Sequence, residues 1–251
     1  MHDIIKNEGA LAPRGITATV GLPLAGVSCC EEIPEYYGTI APSAEPQLKP
    51  GQILDGQFQV REIFSRGGMA TIYRAEDLLD ERREVVLKVP LLRAESDPAA
   101  FARFRHEEEI GLGLSHPLLV RLNPFTGKKS RPYVVMESLH GCSLDFLRYE
   151  SRPLPEADAL KIVSQICVAI GHMHGKGIIH RDLKPSNIMI CCDRTLRIMD
   201  FGMASPPIRR RNPLAKLTTI LGTPEYMAPE QVKNGPVDER TDIYALGAIL
   251  Y

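Results

Sequence analysis

A long apolar run, an excess of charge of one sign and metal-type cysteine spacing are all missing from this sequence of 251 residues, and each absence removes a class of function. The longest uncharged stretch near the N-terminus, residues 15–30 (GITATVGLPLAGVSCC), is interrupted by Pro23 and falls short of the ~18–20 apolar residues that span a bilayer. Lys6 and Arg14 precede it, but its Thr, Gly and Pro content and poor cleavage-site pattern fit a secretory signal badly, so no membrane segment is expected. With 30 Lys+Arg against 31 Asp+Glu and a formal net charge of −1, there is no global basic field of the kind that holds nucleic acid. The six cysteines (Cys29, Cys30, Cys142, Cys167, Cys191 and Cys192) form no C-x-x-C pair; reduced thiols in a cytoplasmic protein are the expectation. No internal repeat is visible. What is present is enough apolar material, 44% of residues, for the core of one large or two small domains, which excludes a wholly disordered chain.

The texture changes along the chain. Residues 1–50 hold six Pro and five Gly without any sustained period, a composition that predicts a disordered tail. From residue 51, FQVREIF, TIYRAEDL and REVVLKVPLL form short β-branched and apolar runs between turn residues, which predicts a small antiparallel sheet. Asp97-Pro98 reads as an N-cap followed by a first-position proline, starting a helix that should run to about Ser115. Tyr133–Met136 predicts one more strand. Beyond it Leu160, Val163, Cys167, Ile170 and Met173 or His174 recur at three and four until Gly175 and Gly177, which predicts a long helix opening a helical second lobe. The final stretch, ERTDIYALGAILY, is helix-like without a stop signal and reads as truncated.

Five stretches carry the residue types that handling a nucleoside triphosphate requires: SRGGMATIY (65–73), VVLK (85–88), HRDLKPSN (180–187), DFG (200–202) and GTPEYMAPE (222–230). Gly67 and Gly68 let backbone N–H groups approach phosphate oxygen, and Ile72 on the following strand can cap an adenine. Standing alone, this motif would be an ordinary Gly-Gly hairpin. Lys88 lies among Val85, Val86, Leu87 and Val89, so its ammonium must meet an anion or lose its proton. HRDLKPSN brings an acid, a cation and an amide onto one loop: Asp182 can accept the proton of a hydroxyl, Lys184 can steady a transferring phosphoryl, and Asn187 can hold Mg²⁺. Asp200 is the second hard-oxygen ligand.

Together and in this order the five stretches resemble the protein kinase family, in particular the Ser/Thr kinases of eukaryotic type that occur in bacteria. The resemblance covers about residues 57–251. It implies an α+β, two-lobed protein kinase-like fold, with a small β-rich N-lobe over about 51–136 and a mainly helical, incomplete C-lobe over about 137–251. It also implies ATP and Mg²⁺ as cofactors, and protein substrates with Ser or Thr acceptors. Against the family's glycine pattern Ser65 stands for the first glycine, Gly67 for the second and Ala70 for the third; all are small, so the loop is still expected to close.

The resemblance further assigns Lys88 to the α- and β-phosphates, Val86 to the nucleotide pocket, Met189 to the floor beneath the adenine, and backbone groups of Glu137 and Leu139 to its edge. His180 and Phe201 become packed spine residues, with Gly202 completing the DFG turn. The acid that partners Lys88 should share the core-facing stripe with Phe104, Gly111 and Leu114. Both Glu107 and Glu108 fit; the family's spacing to His116-Pro117 favours Glu107, and at least one acid of the Glu107–Glu109 run belongs to a solvated face. Lys184 and GTPEYMAPE point to the Ser/Thr branch, in which Thr223 bridges Asp182 and Lys184. Arg181 implies an activation segment ordered by a phosphate, with Thr218 and Thr219 as candidate acceptors or else mere loop hydroxyls. Residues 203–221 hold four cations (Arg209, Arg210, Arg211, Lys216) and no acid; a nucleic-acid contact there is disfavoured because no aromatics are interleaved. Asp242 matches the acid that holds the backbone of the HRD turn, and Glu230 should lack the arginine that pairs with it in the family. His172 and His174 receive no function.

Three functions remain: a Ser/Thr protein kinase, with self-association for autophosphorylation; an ATP-binding pseudokinase or regulatory scaffold, suggested by Ser65 and Ala70; and a small-molecule phosphotransferase, which would not need GTPEYMAPE.

Overall fold

The computed structural model describes residues 48–150, 154–207 and 224–251. The tail over residues 1–47, and Thr218, Thr219 and Thr223 with the basic run before them, lie outside the described residues.

The N-terminal lobe is one antiparallel sheet of six strands: β1 (Ile53–Leu54), β2 (Phe58–Arg66), β3 (Ala70–Asp77), β4 (Arg83–Pro90), β5 (Leu122–Asn123) and β6 (Val134–Glu137), in the order β1-β2-β3-β4-β6-β5. Alternation of side chains between two faces selects which residues are buried. Phe58, Val60, Tyr73, Ala75, Val85, Leu87, Tyr133 and Val135 share one core beneath the sheet. Leu48 joins that core and its N–H donates to Tyr73 Oη at 3.3 Å, so the packed lobe includes residues ahead of 51. Two register shifts in β2, between Val60 and Glu62 and between Ile63 and Ser65, bend the strand so that its end turns over the cleft.

Between β4 and β5 run a short helix, α1 (Leu92–Ser96), and α2 (Pro98–Gly113). Asp97 caps α2 as the sequence predicts, its carboxylate accepting from Ala99 N at 2.9 Å and Ala100 N at 3.4 Å, with Pro98 at the first helical position. The helix ends at Gly113, two residues before the expected Ser115.

The second lobe is built on α3 (Leu144–Glu150), α4 (Glu156–Gly175), α5 (Pro229–Val232) and α6 (Glu239–Leu250), with a small sheet of β7 (Gly141–Ser143), β8 (Ile188–Cys191) and β9 (Leu196–Ile198). In α4 the buried face is Ile162, Ile166, Ala169, Ile170 and Met173. The expected stripe through Leu160, Val163 and Cys167 is corrected: Leu160 and Cys167 are exposed. Two apolar stripes of nearly equal quality run along this helix, and the choice between them is made by the partners, here Leu183, Ile188, Ile198 and Leu246 in one shared core. Each such fully buried aliphatic side chain contributes ~1.5–3 kcal/mol.

Among the described cysteines Cys142, Cys167 and Cys191 are free thiols. No helix among the described residues is long and apolar enough to cross a membrane.

Candidate active site

A cavity of about 540 Å³ opens between the lobes. Its roof is the β2–β3 hairpin, which closes through Gly67 N donating to Ala70 O at 2.8 Å, with Ser65 opposite Ile72 in the ladder. The small residues at Ser65 and Ala70 therefore leave the turn intact. Ile72, Val86, Val120, Met136 and Met189 supply an apolar slot within it, and Leu139 lines it at the lobe junction. Met136 carried no signal of its own in the sequence; its place follows from the register that sets it opposite Val86. The N–H of Glu137 donates to Arg121 O at 2.9 Å, so that group is committed within the protein.

At the inner end of the cavity Lys88 of β4 meets Glu107 of α2, with Nζ to Oε1 at 2.6 Å and to Oε2 at 2.8 Å, and reaches Asp200 Oδ1 at 3.3 Å. Of the two acids open in the sequence, the structure joins Glu107 to the lysine and sends Glu108 elsewhere, to Lys129. One step along a helix turns a side chain by about 100°, so neighbours cannot share a target. Asp200 has a left-handed backbone, φ 64°, which aims its carboxylate into the cavity while the next side chain, Phe201, turns into the core beside His180, ring centroids 6.0 Å apart.

The opposite wall is the 180–187 loop. Asp182 Oδ2 lies 2.9 Å from Lys184 Nζ, and Asn187 Nδ2 donates to Asp182 O at 2.8 Å and to Asp182 Oδ2 at 3.2 Å. Since the Asn187 amide nitrogen is spent on Asp182, its oxygen is the end left to face a ligand. The loop is hung from Asp242 of α6, whose fully buried carboxylate accepts from His180 N at 2.9 Å and Arg181 N at 2.8 Å and meets His174 Nε2 at 2.8 Å. Three donors stabilise a carboxylate that burial alone would expel. His174, assigned nothing from the sequence, is thus part of the support. Gln231 of α5 was equally unforeseen: its Nε2 donates to Arg181 O at 2.8 Å and its Oε1 accepts from Ala228 N at 3.0 Å. Glu230 accepts from Thr241 Oγ1 at 2.7 Å, so its carboxylate has a hydroxyl partner among the described residues in place of the arginine it was expected to lack.

A chain whose two lobes enclose a lysine–glutamate pair, an HRD loop and a DFG turn in one cleft has counterparts among known proteins. The model of the protein kinase domain matches residues 58–251. The chain belongs to the protein kinase family. It is similar to Serine/threonine-protein kinase PknB of Mycolicibacterium smegmatis, 35% identical over 205 residues, covering 80% of this chain and 32% of that protein. PknB of Mycobacterium tuberculosis is 34% identical over 203 residues, covering 79% and 32%. Probable serine/threonine-protein kinase PknB of Lactococcus lactis is 34% identical over 204 residues, covering 81% and 32%. The chain thus spans about a third of the length of these curated relatives.

The electrostatics of the kinase domain's cleft follow from three charges in mutual contact. Burial alone would lower the Lys88 pKa, but the carboxylates of Asp200 and Glu107 outweigh it and push it up, so the ammonium stays charged. The Lys88 charge holds Asp200 below the usual carboxylate range against the effect of burial. Burial, with the nearby Asp200 carboxylate, pushes Glu107 upward, and Lys88 opposes this. Asp200 is the exposed member, its side chain 45% accessible against 17% for Lys88 and 8% for Glu107.

Among the described residues no group of three or more His, Cys, Asp or Glu forms a self-sufficient metal site. The Asp200 carboxylate and the Asn187 amide oxygen are instead two hard donors lining one cavity, a set that fits Mg²⁺ shared with phosphate oxygens rather than a metal held by protein alone. Arg181 sits beneath this wall, its Nη1 donating to Ser205 Oγ at 3.1 Å while its buried Nε has no hydrogen-bond partner among the described residues. Burial lowers the Arg181 pKa, and Asp242 partly restores it. Of the sequence-predicted residues, Ser65, Gly67, Gly68, Ala70, Ile72, Val86, Lys88, Glu107, Glu137, Leu139, Asp182, Lys184, Asn187, Met189, Asp200 and Gly202 line the cavity, whereas His180, Arg181, Phe201, Glu230 and Asp242 lie behind it.

Proposed function

We propose that this chain transfers the γ-phosphate of ATP to Ser or Thr hydroxyls of protein substrates. The observation that carries the reading is the contact of Lys88 with both Glu107 and Asp200 inside a cavity that also holds Asp182, Lys184 and Asn187. In this reading Ile72, Val86 and Met189 enclose the adenine, and the Leu139 backbone meets its edge. Gly67, Gly68 and Lys88 hold the phosphates, with Glu107 fixing the lysine.

Asp182 accepts the proton of the acceptor hydroxyl as its oxygen bonds to the γ-phosphorus and the bond to the β-phosphate bridging oxygen breaks, releasing ADP. Lys184 stabilises the charge on the transferring group. Asn187 and Asp200 would hold Mg²⁺, which supplies neutralisation of phosphate charge. Phosphorylation of Thr218 or Thr219, by a second copy of the chain, would give Arg181 its anionic partner, and Thr223 would bridge Asp182 and Lys184. A cytoplasmic location, where ATP is abundant, goes with this activity. No observation in the cleft favours the scaffold alternative, since each group needed for transfer is present and within reach of its partner.

The test is phosphate incorporation from labelled ATP with Mg²⁺ into the chain and into a generic Ser/Thr substrate, with Asp182→Asn and Lys88→Met alongside. Incorporation that vanishes in both variants is expected. Wild-type turnover in either variant would sink the assignment of roles. A wild-type chain that is silent yet melts higher with Mg-ATP would make the scaffold the better reading.

A further inference from the structure

Two consecutive acids of α2 are held by different parts of the N-terminal lobe. Glu107 reaches inward to Lys88. Glu108 pairs with Lys129, which lies in the connection between β5 and β6, residues 124–133; both side chains are about four-fifths buried, at 21% and 22% exposure. Lys129 also donates to Tyr133 O at 2.7 Å and stands 4.9 Å over the Tyr133 ring.

Two residues further on, Arg131 Nη2 donates to Glu95 Oε1 at 2.9 Å and to Pro90 O at 3.3 Å. Glu95 belongs to α1, just ahead of the Asp97 cap of α2, and Pro90 ends the strand that carries Lys88. The connection is itself anchored. The Asp55 carboxylate accepts from Ser130 N at 3.0 Å and Tyr133 Oη at 2.8 Å, and the Tyr133 ring packs on Phe58 and Phe125.

Apolar packing seats α2 weakly. Over its sixteen residues only Phe104, Glu107, Ile110 and Gly111 are buried, and burial of the Glu107 carboxylate opposes docking of the helix. We infer that Lys129 and Arg131 are positioning residues that clamp the α1–α2 segment at two points, so that Glu107 stays on Lys88. The inference deepens the proposed function, since the held pair is the one assigned to phosphate. Neither cation touches the cavity. Release of the clamp would let α2 swing away as a unit and leave Lys88 with Asp200 alone.

The test uses the full chain as Glu108→Gln, Arg131→Met and the double variant. Glu108→Gln keeps the side-chain shape and leaves the contacts of Lys129 with Tyr133 in place, while removing the charge that draws Lys129 to α2, so it weakens that tie alone. Amide hydrogen exchange is followed by peptide, together with kcat and KM for ATP. Exchange within residues 98–113 is expected to accelerate about tenfold in the double variant while α4 is unchanged, with a similar loss in kcat/KM for ATP. Unchanged exchange in 98–113 would overturn the clamp, and so would acceleration spread equally over α4, which would mean general loss of stability. Because exchange needs no turnover, a wild-type chain without phosphotransfer would refute the proposed function while the exchange data still decide the clamp.

Discussion

Asp242→Asn is the sharpest single test of how the catalytic loop is held. The substitution is isosteric, so packing is preserved and only the acceptor pattern changes. Oδ2 serves His180 N and His174 Nε2, and Oδ1 serves Arg181 N. An asparagine has one acceptor oxygen. If that oxygen takes the Oδ2 place, its NH₂ faces the Arg181 N–H; if it takes the Oδ1 place, the NH₂ faces the His180 N–H. His174 can switch tautomer to accept, but neither backbone N–H can, so one buried donor is orphaned in either orientation. Losing a hydrogen bond to a charged acceptor while leaving its donor buried costs about 2–4 kcal/mol.

Spread over a domain of this size, that is a fall in Tm of roughly 5–15 °C, within the ~5–15 kcal/mol total stability of an ordinary domain, so the variant still folds. Turnover should fall further than stability explains, because Arg181, held at φ 68°, directly precedes Asp182. Thermal melting and kcat measured together check this. A variant with Tm within 1–2 °C of wild type and unaltered kcat would refute the claim that these bonds position the loop.

Two further outcomes follow from the same geometry. The depressed Asp200 pKa means that its pairing with Lys88 contributes fully above the ordinary aspartate range and is lost as pH falls through the folded-state value; the raised Lys88 pKa makes its contribution complete below the ordinary lysine range and lost above it. Urea unfolding of wild type and Asp200→Asn from pH 7 downward should therefore show a stability difference that is flat above about pH 5 and shrinks below it; a difference independent of pH would count against the pairing. Gly141→Ala places a Cβ 2.1 Å from Ile190 O, a backbone atom in the facing strand that cannot yield, so β7 must part from β8 and a loss of about 2–4 kcal/mol is expected by denaturant titration, with a loss under 0.5 kcal/mol disproving the close approach.

Much of this site is local in sequence. The hairpin residues 65–72, the 180–187 loop and the 200–202 turn each place several functional groups within a few residues, where chain geometry alone keeps them together, so residue type and spacing reveal them. The cap at Asp97 and the strands of the first lobe are legible for the same reason, since period and capping are properties of short windows. What the sequence left open was every choice between equivalent neighbours. Glu107 and Glu108 are both acids on the same helix, and only the docking of α2 against β4 on one side and residues 124–133 on the other assigns one to Lys88 and its neighbour to Lys129. The stripes of α4 differ by a fraction of a turn, and the core that meets them decided which became buried. His174, Gln231 and Thr241 gave no signal because their roles are defined by partners in other elements, 68, 50 and 11 residues away. A polar side chain acquires such a role only when folding removes water and leaves one partner in reach.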